Sequence, residues 1–147
     1  MQSKISHFEW NVSDYPRSVR FYDTVLLPLG WKKINHCRTH TAYTDGHLKL
    51  IICPTEAKHR AAGFHRKRTG LNHIALAASS KAEVDDFALR LKANEIPLLY
   101  EGEPTGDDGY YAVFFEDPDR VKLELVYAPH YCEDGHWPNT LPNDYDL

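Results

Sequence analysis

Three residues of this 147-residue chain have the side chains to act together: His7, His73 and Glu124. Around His73 the residues alternate, so His73, Ala75 and Ala77 share one face of a strand while Ile74 and Leu76 share the other. An imidazole followed by two small side chains fills a core poorly and lines a cavity well. Glu124 shares its face with Lys122 and Val126, opposite Leu123, Leu125 and Tyr127. A carboxylate in the middle of an apolar strand must be paired, protonated or bound to a metal, because burying it alone is costly. Arg66 and Lys122 are the cations available to pair with it. His7 occupies, in the first strand, the place that His73 occupies in a later one. Two imidazoles and one carboxylate arriving from three strands form a set that leaves coordination positions open and suits Fe, Mn, Ni or Zn as a single divalent ion. The plainer alternative stays open at this point, with both histidines satisfied within their strands and Glu124 in an ion pair.

Other side chains could serve around such an ion. Glu9 lies two residues beyond His7 on the same face, about 7 Å away by strand geometry, as a general base or as a group orienting an imidazole. Tyr111 and Tyr43 are candidates to donate a hydrogen bond to a substrate oxygen, although strand tyrosines commonly serve packing. Lys49 and Arg66 are candidates to bind an anionic group. Ser6, Ser13 and Cys53 show no accompanying base, so the sequence gives no support to nucleophilic catalysis.

Positioning these residues calls for strands, and the pattern supplies them. Residues 6–12 alternate, and a helix is expected from about Pro16, with Asp14 as its N-cap and Val19, Tyr22, Val25, Leu26 and Leu29 as its apolar face. Pro28 and Gly30 close it. Strands follow at 31–34, 39–44 and 47–53, with Asp45-Gly46 as a hairpin turn between the last two. Residues 55–69 are polar and basic and form the inter-module connection, its Arg60, Arg66, Lys67 and Arg68 either a solvated loop or a flap facing an anionic substrate. The order then repeats: a strand at 72–78, a helix opened by a Ser80–Glu83 capping box, and strands at 96–101, 110–115 and 121–127. An irregular tail, 130–147, ends the chain, lying on the surface or wrapping a neighbouring subunit.

Superimposing His7 on His73 places Ser13 on Ser79, Phe21 on Phe87 and Val25 on Leu91 without a gap. Lys49-Leu50-Ile51-Ile52 then matches Lys122-Leu123-Glu124-Leu125 after small turn insertions. Matches in the same strand-then-helix context indicate an internal duplication. The expected architecture is α+β, with two βαβββ modules (4–54 and 70–129) in a single domain spanning 1–129.

Composition sets the outer bounds. A net charge of −4 offers no basic stripe for nucleic acid, and no apolar run approaches the ~20 residues that span a bilayer. The N-terminus has no apolar signal-peptide region, and Cys37, Cys53 and Cys132 are odd in number and widely spaced. They read as reduced thiols, and the expected location is the cytoplasm.

ISHFEWNVSDYPRSVRFYDTVLLPLGW, GLNHIALAASSKAEVDDF and GYYAVFFEDPDRVKLELVY, in this order, resemble the vicinal oxygen chelate superfamily over residues 4–129. That superfamily includes glyoxalase I, extradiol dioxygenases, fosfomycin-resistance thiol transferases and bleomycin-binding proteins. The resemblance implies two βαβββ modules forming a cupped half-barrel, a homodimer, and one divalent metal whose ligand positions fall on His7, His73 and Glu124. It further implies an enzyme acting on a small oxygenated substrate by lyase or isomerase, dioxygenase or thiol-transferase chemistry. The alternative it carries is a non-catalytic, antibiotic-type binding protein. Two positions depart from the pattern. Where glyoxalase I enzymes carry a further carboxylate this chain has Ile51, which leaves His65, His47 or Glu9 as the available substitutes. The usual DPDG turn reads Asp117-Pro118-Asp119-Arg120, which places Arg at a position favoured by Gly at a cost of about 1 kcal/mol if the backbone is kept.

Overall fold

The first strand, β1 (His7–Val12), leads into helix α1 (Tyr15–Leu26), which the Asp14 carboxylate opens by accepting the Arg17 amide at 3.1 Å. Pro28 does not break the chain abruptly. A single 3₁₀ turn, Leu27–Leu29, follows the helix, and Gly30 ends it at φ 83°, a value its missing Cβ permits. Strands β2 (Lys32–His36), β3 (Thr41–Thr44) and β4 (Lys49–Pro54) complete the first module. In the Asp45-Gly46 turn, Gly46 has φ 99° and Asp45 Oδ1 accepts the amides of His47 and Leu48, both at 2.7 Å. The computed structural model describes residues 3–131; the tail from 132 onward, Cys132 included, lies outside the described residues.

The connection between modules holds a short 3₁₀ segment, Ala57–Ala62, before β5 (His73–Ala77) and α2 (Lys81–Ala93) begin the second half. The Ser80–Glu83 box forms in altered shape. Ser80 Oγ accepts the Glu83 amide at 3.2 Å, but the Glu83 carboxylate returns to Ser79, taking its amide at 2.6 Å and its hydroxyl at 2.7 Å. The carboxylate therefore anchors the residue before the N-cap instead of the N-cap amide.

A strand at 96–101 does not form. Pro97 has no N–H to give a ladder, and Glu95 and Tyr100 take positive φ values of 56° and 57°, which interrupt any extended run. A single bridge, Leu98 to Phe115, remains there. The second strand of the module is instead the two-residue β6 (Thr105–Gly106), followed by β7 (Tyr111–Glu116) and β8 (Lys122–Tyr127). Arg120 keeps the left-handed backbone of the turn, at φ 69°.

The two sheets have the same order, β1-β4-β3-β2 and β5-β8-β7-β6, each with one parallel pair and two antiparallel ones. This is the duplicated βαβββ architecture that the internal repeat demands. On each sheet one face packs on helices. Leu50 and Ile52 of β4, Leu123 and Leu125 of β8, and Val113 and Phe115 of β7 are buried there with Tyr22, Val25, Leu26, Val84, Phe87 and Leu91. The cluster runs unbroken through both modules. Across their junction Phe21 lies 6.3 Å from Phe115 between ring centroids, and Tyr22 donates to Asp117 Oδ2 at 2.8 Å. Such burial is worth about 1.5–3 kcal/mol for each large apolar side chain. The opposite faces remain free to carry polar residues. Among the described residues no helix is long and apolar enough to cross a membrane.

Candidate functional site

Strict alternation puts His73, Ala75 and Ala77 of β5 on the helix-free face of the second sheet, in register with Lys122, Glu124 and Val126 of β8. Phe114 of β7 lies directly opposite Glu124 on the other side. Glu124 is fully buried, whereas its neighbour His73 is exposed. The imidazole Nε2 of His73 stands 3.2 Å from Glu124 Oε2. The other carboxylate oxygen, Oε1, accepts a hydrogen bond from the Tyr110 hydroxyl.

The protonation pattern around this pair is informative. Asn72 presents its carbonyl oxygen to His73 Nδ1 at 2.8 Å. A carbonyl only accepts, so Nδ1 carries the ring proton and the neutral ring turns a lone pair from Nε2 toward Glu124. No hydrogen bond reaches Glu124 Oε2, which is buried. Two lone pairs facing each other at this range repel, and either a proton shared between them or a metal cation bonded to both resolves the conflict. Ligands bonded at about 2.1 Å and set at right angles stand about 3.0 Å apart, close to the observed spacing. The residues therefore fit a metal ion, and the Asn72 contact is the outer bond that metal-ligating histidines ordinarily make. Burial, reinforced by the Lys122 charge, holds the His73 ring below the ordinary imidazole value and so favours the neutral, ligating form. Burial also raises the Glu124 carboxyl, against the opposing pull of the Tyr110 hydrogen bond and the Lys122 charge.

His7 opens β1 on the other sheet, exposed, with Nδ1 2.8 Å from Ser6 Oγ. Its register neighbour is Lys49, also exposed. Among the described residues no three His, Cys, Asp or Glu side chains group closely enough to share an ion within one chain. Glu9 sits across from Ile51, and its carboxylate accepts from the Cys53 thiol at 3.2 Å. Burial, with the Glu9 bond and charge adding to it, pushes that thiol up to about 11. His65 Nδ1 accepts the Lys67 amide at 3.2 Å within the connection.

Three expected substrate contacts lie elsewhere. Tyr43 is fully buried on the helix side of its sheet, donating to Asp23 Oδ1 at 2.9 Å and to the Val19 carbonyl at 3.3 Å. It is a core residue, because its register partner Leu50 fixes it on the packed face. Tyr111 likewise faces the helices, its hydroxyl donating to Asp85 Oδ1 of α2 at 2.8 Å. Arg66 pairs with Glu116, not with Glu124, and Glu116 also accepts from Arg120 Nε at 3.3 Å. The tyrosine that does reach the pair is Tyr110, one residue before β7. The same alternation would have found it, since 110, 112 and 114 share a face. Lys122 completes the lining, its ammonium 4.4 Å from the Phe114 ring centroid and donating to the Tyr100 hydroxyl at 3.1 Å.

The fold and these positions can be set beside known proteins. The uncharacterised protein YqjT of Bacillus subtilis (strain 168) is 38% identical over 122 residues, covering 82% of this chain and 95% of that protein. The crystal structure of a Bacillus halodurans protein provisionally called a glyoxalase is 38% identical with a TM-score of 0.80, covering 86% of this chain and 96% of that one. The fosfomycin resistance protein of Listeria monocytogenes shares the fold at 21% identity and a TM-score of 0.66, covering 87% and 95%. The family model of the glyoxalase/bleomycin resistance protein/dioxygenase superfamily matches residues 4–125. With the duplicated βαβββ sheets, that match settles descent: the chain belongs to the vicinal oxygen chelate superfamily.

Proposed function

We propose that this protein is a divalent-metal-dependent enzyme acting on a small substrate with two neighbouring oxygens. His73 and Glu124 of one chain and His7 of a second copy would hold the ion. The observation that carries the reading is the buried, unpartnered Glu124 Oε2 facing the lone pair of His73 Nε2 at 3.2 Å. When bound, the ion supplies Lewis-acid polarisation of the substrate oxygens. The chain's own residues supply the rest. Asn72 orients the His73 ring, Tyr110 holds the Glu124 carboxylate, and the Lys122 ammonium places positive charge beside developing negative charge on the substrate. Phe114 and Tyr100, 5.2 Å apart between ring centroids, give an apolar wall.

Support for a second copy comes from the open strand edges. His7 lies on β1 and His73 on β5, each an edge strand of its own sheet. Beside them Ile5, Phe8 and Leu71 are 63%, 38% and 39% exposed, which leaves apolar surface to cover. The alternative, an antibiotic-type binder without catalysis, draws on the same aromatic wall. It has no use for a buried carboxylate oxygen that receives no hydrogen bond.

Co-expression of His7→Ala and His73→Ala chains tests the arrangement. If each site draws on two subunits, the mixed dimer has one doubly damaged site and one intact site, so it recovers about half of the wild-type metal content that each homodimer lacks. Recovery of none, with both variants folded, would place the ligands within one chain or refute the ligand set.

A further inference from the structure

The first sheet carries a second constellation, at β2, the edge opposite β1. Residues 37–40 form the loop between β2 and β3, closed by the Cys37 amide donating to the His40 carbonyl at 2.9 Å. Within it, Cys37 Sγ lies 3.4 Å from His40 Nδ1 and 3.3 Å from Thr39 Oγ1. On the far side of the imidazole, Asn35 Nδ2 lies 3.1 Å from His40 Nε2. An amide nitrogen only donates, so Nε2 accepts and the ring proton sits on Nδ1, aimed at the sulfur. A hydrogen bond of this kind favours thiolate over thiol. Thr39, first through its side chain and then its amide, and the His40 amide hold the exposed Cys37 thiol below its ordinary value.

The loop is held in place. The Tyr15 hydroxyl of α1 donates to the Cys37 carbonyl at 2.8 Å and lies 2.6 Å from Thr41 Oγ1. The His36 ring stacks on Tyr15 at 6.1 Å with 15° between planes. Beside the sulfur opens a pocket of about 600 Å³ lined by Tyr15, Pro16, Val19, His36, Cys37 and Arg38. Its floor is apolar, and Arg38, which has no hydrogen-bond or ion-pair partner for its guanidinium among the described residues, supplies a cation at the rim.

We propose that Cys37, with His40 as the donor that sustains its thiolate, is a covalent capture site for small α,β-unsaturated carbonyl compounds bearing an apolar tail. The pocket accepts the tail. The sulfur lone pair forms a C–S bond at the β-carbon, and the alkene π pair moves through the carbonyl to give an enolate whose oxygen faces Arg38. The thiol proton has left to water, and water returns one to the α-carbon. The net change adds S–H across the double bond, with no external oxidant or reductant. Among soft electrophiles, an alkyl halide would create no oxyanion for Arg38 to receive, and a disulfide would make no use of the apolar floor. This site is independent of the metal reading, and neither depends on the other.

The full-length protein would be treated at about pH 7 with 2-octenal, acrolein or iodoacetamide, and adducts at each cysteine quantified by peptide mass mapping, with N-acetylcysteine as the unstructured reference. The expected result is 2-octenal addition at Cys37 roughly tenfold faster than at Cys53, and a 2-octenal to acrolein rate ratio above that of N-acetylcysteine. Arg38→Ala should slow 2-octenal severalfold and leave iodoacetamide unchanged. His40→Ala should slow both, and His40→Gln, which keeps an N–H donor, should restore part of the rate. Equal octenal-to-acrolein ratios in the protein and the reference, or an Arg38→Ala variant that changes both reagents alike, would overturn the proposal. So would His40→Ala, folded by circular dichroism, reacting at the wild-type rate.

Discussion

Tyr22 of α1 donates a hydrogen bond to Asp117 of the β7–β8 turn at 2.8 Å, and this contact, buried on both sides, bridges the two modules. The same carboxylate also accepts the amides of Asp119 and Val121, both at 2.8 Å. Burial outweighs the pull of these donors and pushes the Asp117 carboxyl up to about 6, from an ordinary 3.8. In this window the folded chain holds the proton more tightly than the unfolded one. The stabilising contribution is therefore complete below the unfolded value and is lost as pH rises through the folded one. We expect wild-type stability to fall by up to about 3 kcal/mol between about pH 4 and pH 7 from this group. Asp117→Asn, uncharged throughout, should remove that part of the slope. Urea titrations of both proteins at the two pH values check it, and parallel slopes would contradict the assignment.

Tyr110 and Glu124 make the second prediction. A hydrogen bond to a charged group is worth about 1.5–3 kcal/mol, and a buried oxygen deprived of its donor carries a full desolvation cost. Tyr110→Phe leaves Glu124 without a hydrogen-bond donor on either oxygen. We expect the metal-free variant to lose about 1.5–3 kcal/mol of stability. Added Zn²⁺ should recover much of that loss, because the ion satisfies the carboxylate in the hydroxyl's place. Thermal melts with chelator and with excess Zn²⁺ separate this from simple packing damage, which would be the same in both.

Much of the scaffold was readable from alternation alone. The period of two is rigid in a regular strand, so alternation alone turns His73 and Glu124 away from the apolar residues of their strands, and their 3.2 Å approach follows from the β5–β8 register. The same rule separates Tyr111, which shares its parity with Val113 and Phe115, from Tyr110, whereas Tyr43 shares its parity with Thr41 and only its register with Leu50 reveals it as core. Choosing Tyr111 by side-chain chemistry in place of parity misplaced it. Residues 96–101 failed for a backbone reason, since apolar composition says nothing of the positive φ at Glu95 and Tyr100. The Cys37–His40 contact was hidden because it is made by a loop whose shape no periodicity encodes. Whether a second copy brings His7 to the His73–Glu124 pair is a matter of assembly, and strand pattern is silent on that.

Asn72 offers a test of the ligand assignment that spares the ligands. Its carbonyl fixes the tautomer and tilt of His73 through the 2.8 Å contact to Nδ1. Loss of such an outer partner typically weakens metal affinity about 10–100-fold. We expect Asn72→Ala to bind Zn²⁺ or Mn²⁺ more weakly by that factor, and His73→Ala to retain none after dialysis. Tyr111→Phe, altered on the helix side, should bind as wild type does. Elemental analysis and competition with a chelating dye give the three values. Equal content in wild type and His73→Ala would end the assignment.

Ile51 decides the last prediction. It is paired in register with Glu9 of β1 and Ala42 of β3, so it lies on the helix-free face of the first sheet, half-buried. By the internal repeat it stands where the second module has Glu124. An isoleucine cannot ligate, so the first module offers one fewer donor than the second. We therefore expect little or no lactoylglutathione formation from methylglyoxal and glutathione. Ile51→Glu should tighten metal retention severalfold, since it adds a charged oxygen ligand two residues along β4 from Lys49, the register partner of His7. A carboxylate there needs a counter-ion, so the variant's metal-free form should be less stable than wild type by roughly 1–3 kcal/mol and its loaded form should recover. Robust turnover by the unmodified chain would show that three ligands suffice for that reaction. An Ile51→Glu variant whose affinity and stability both ignore the metal would show that this face does not contribute to the ion's surroundings at all.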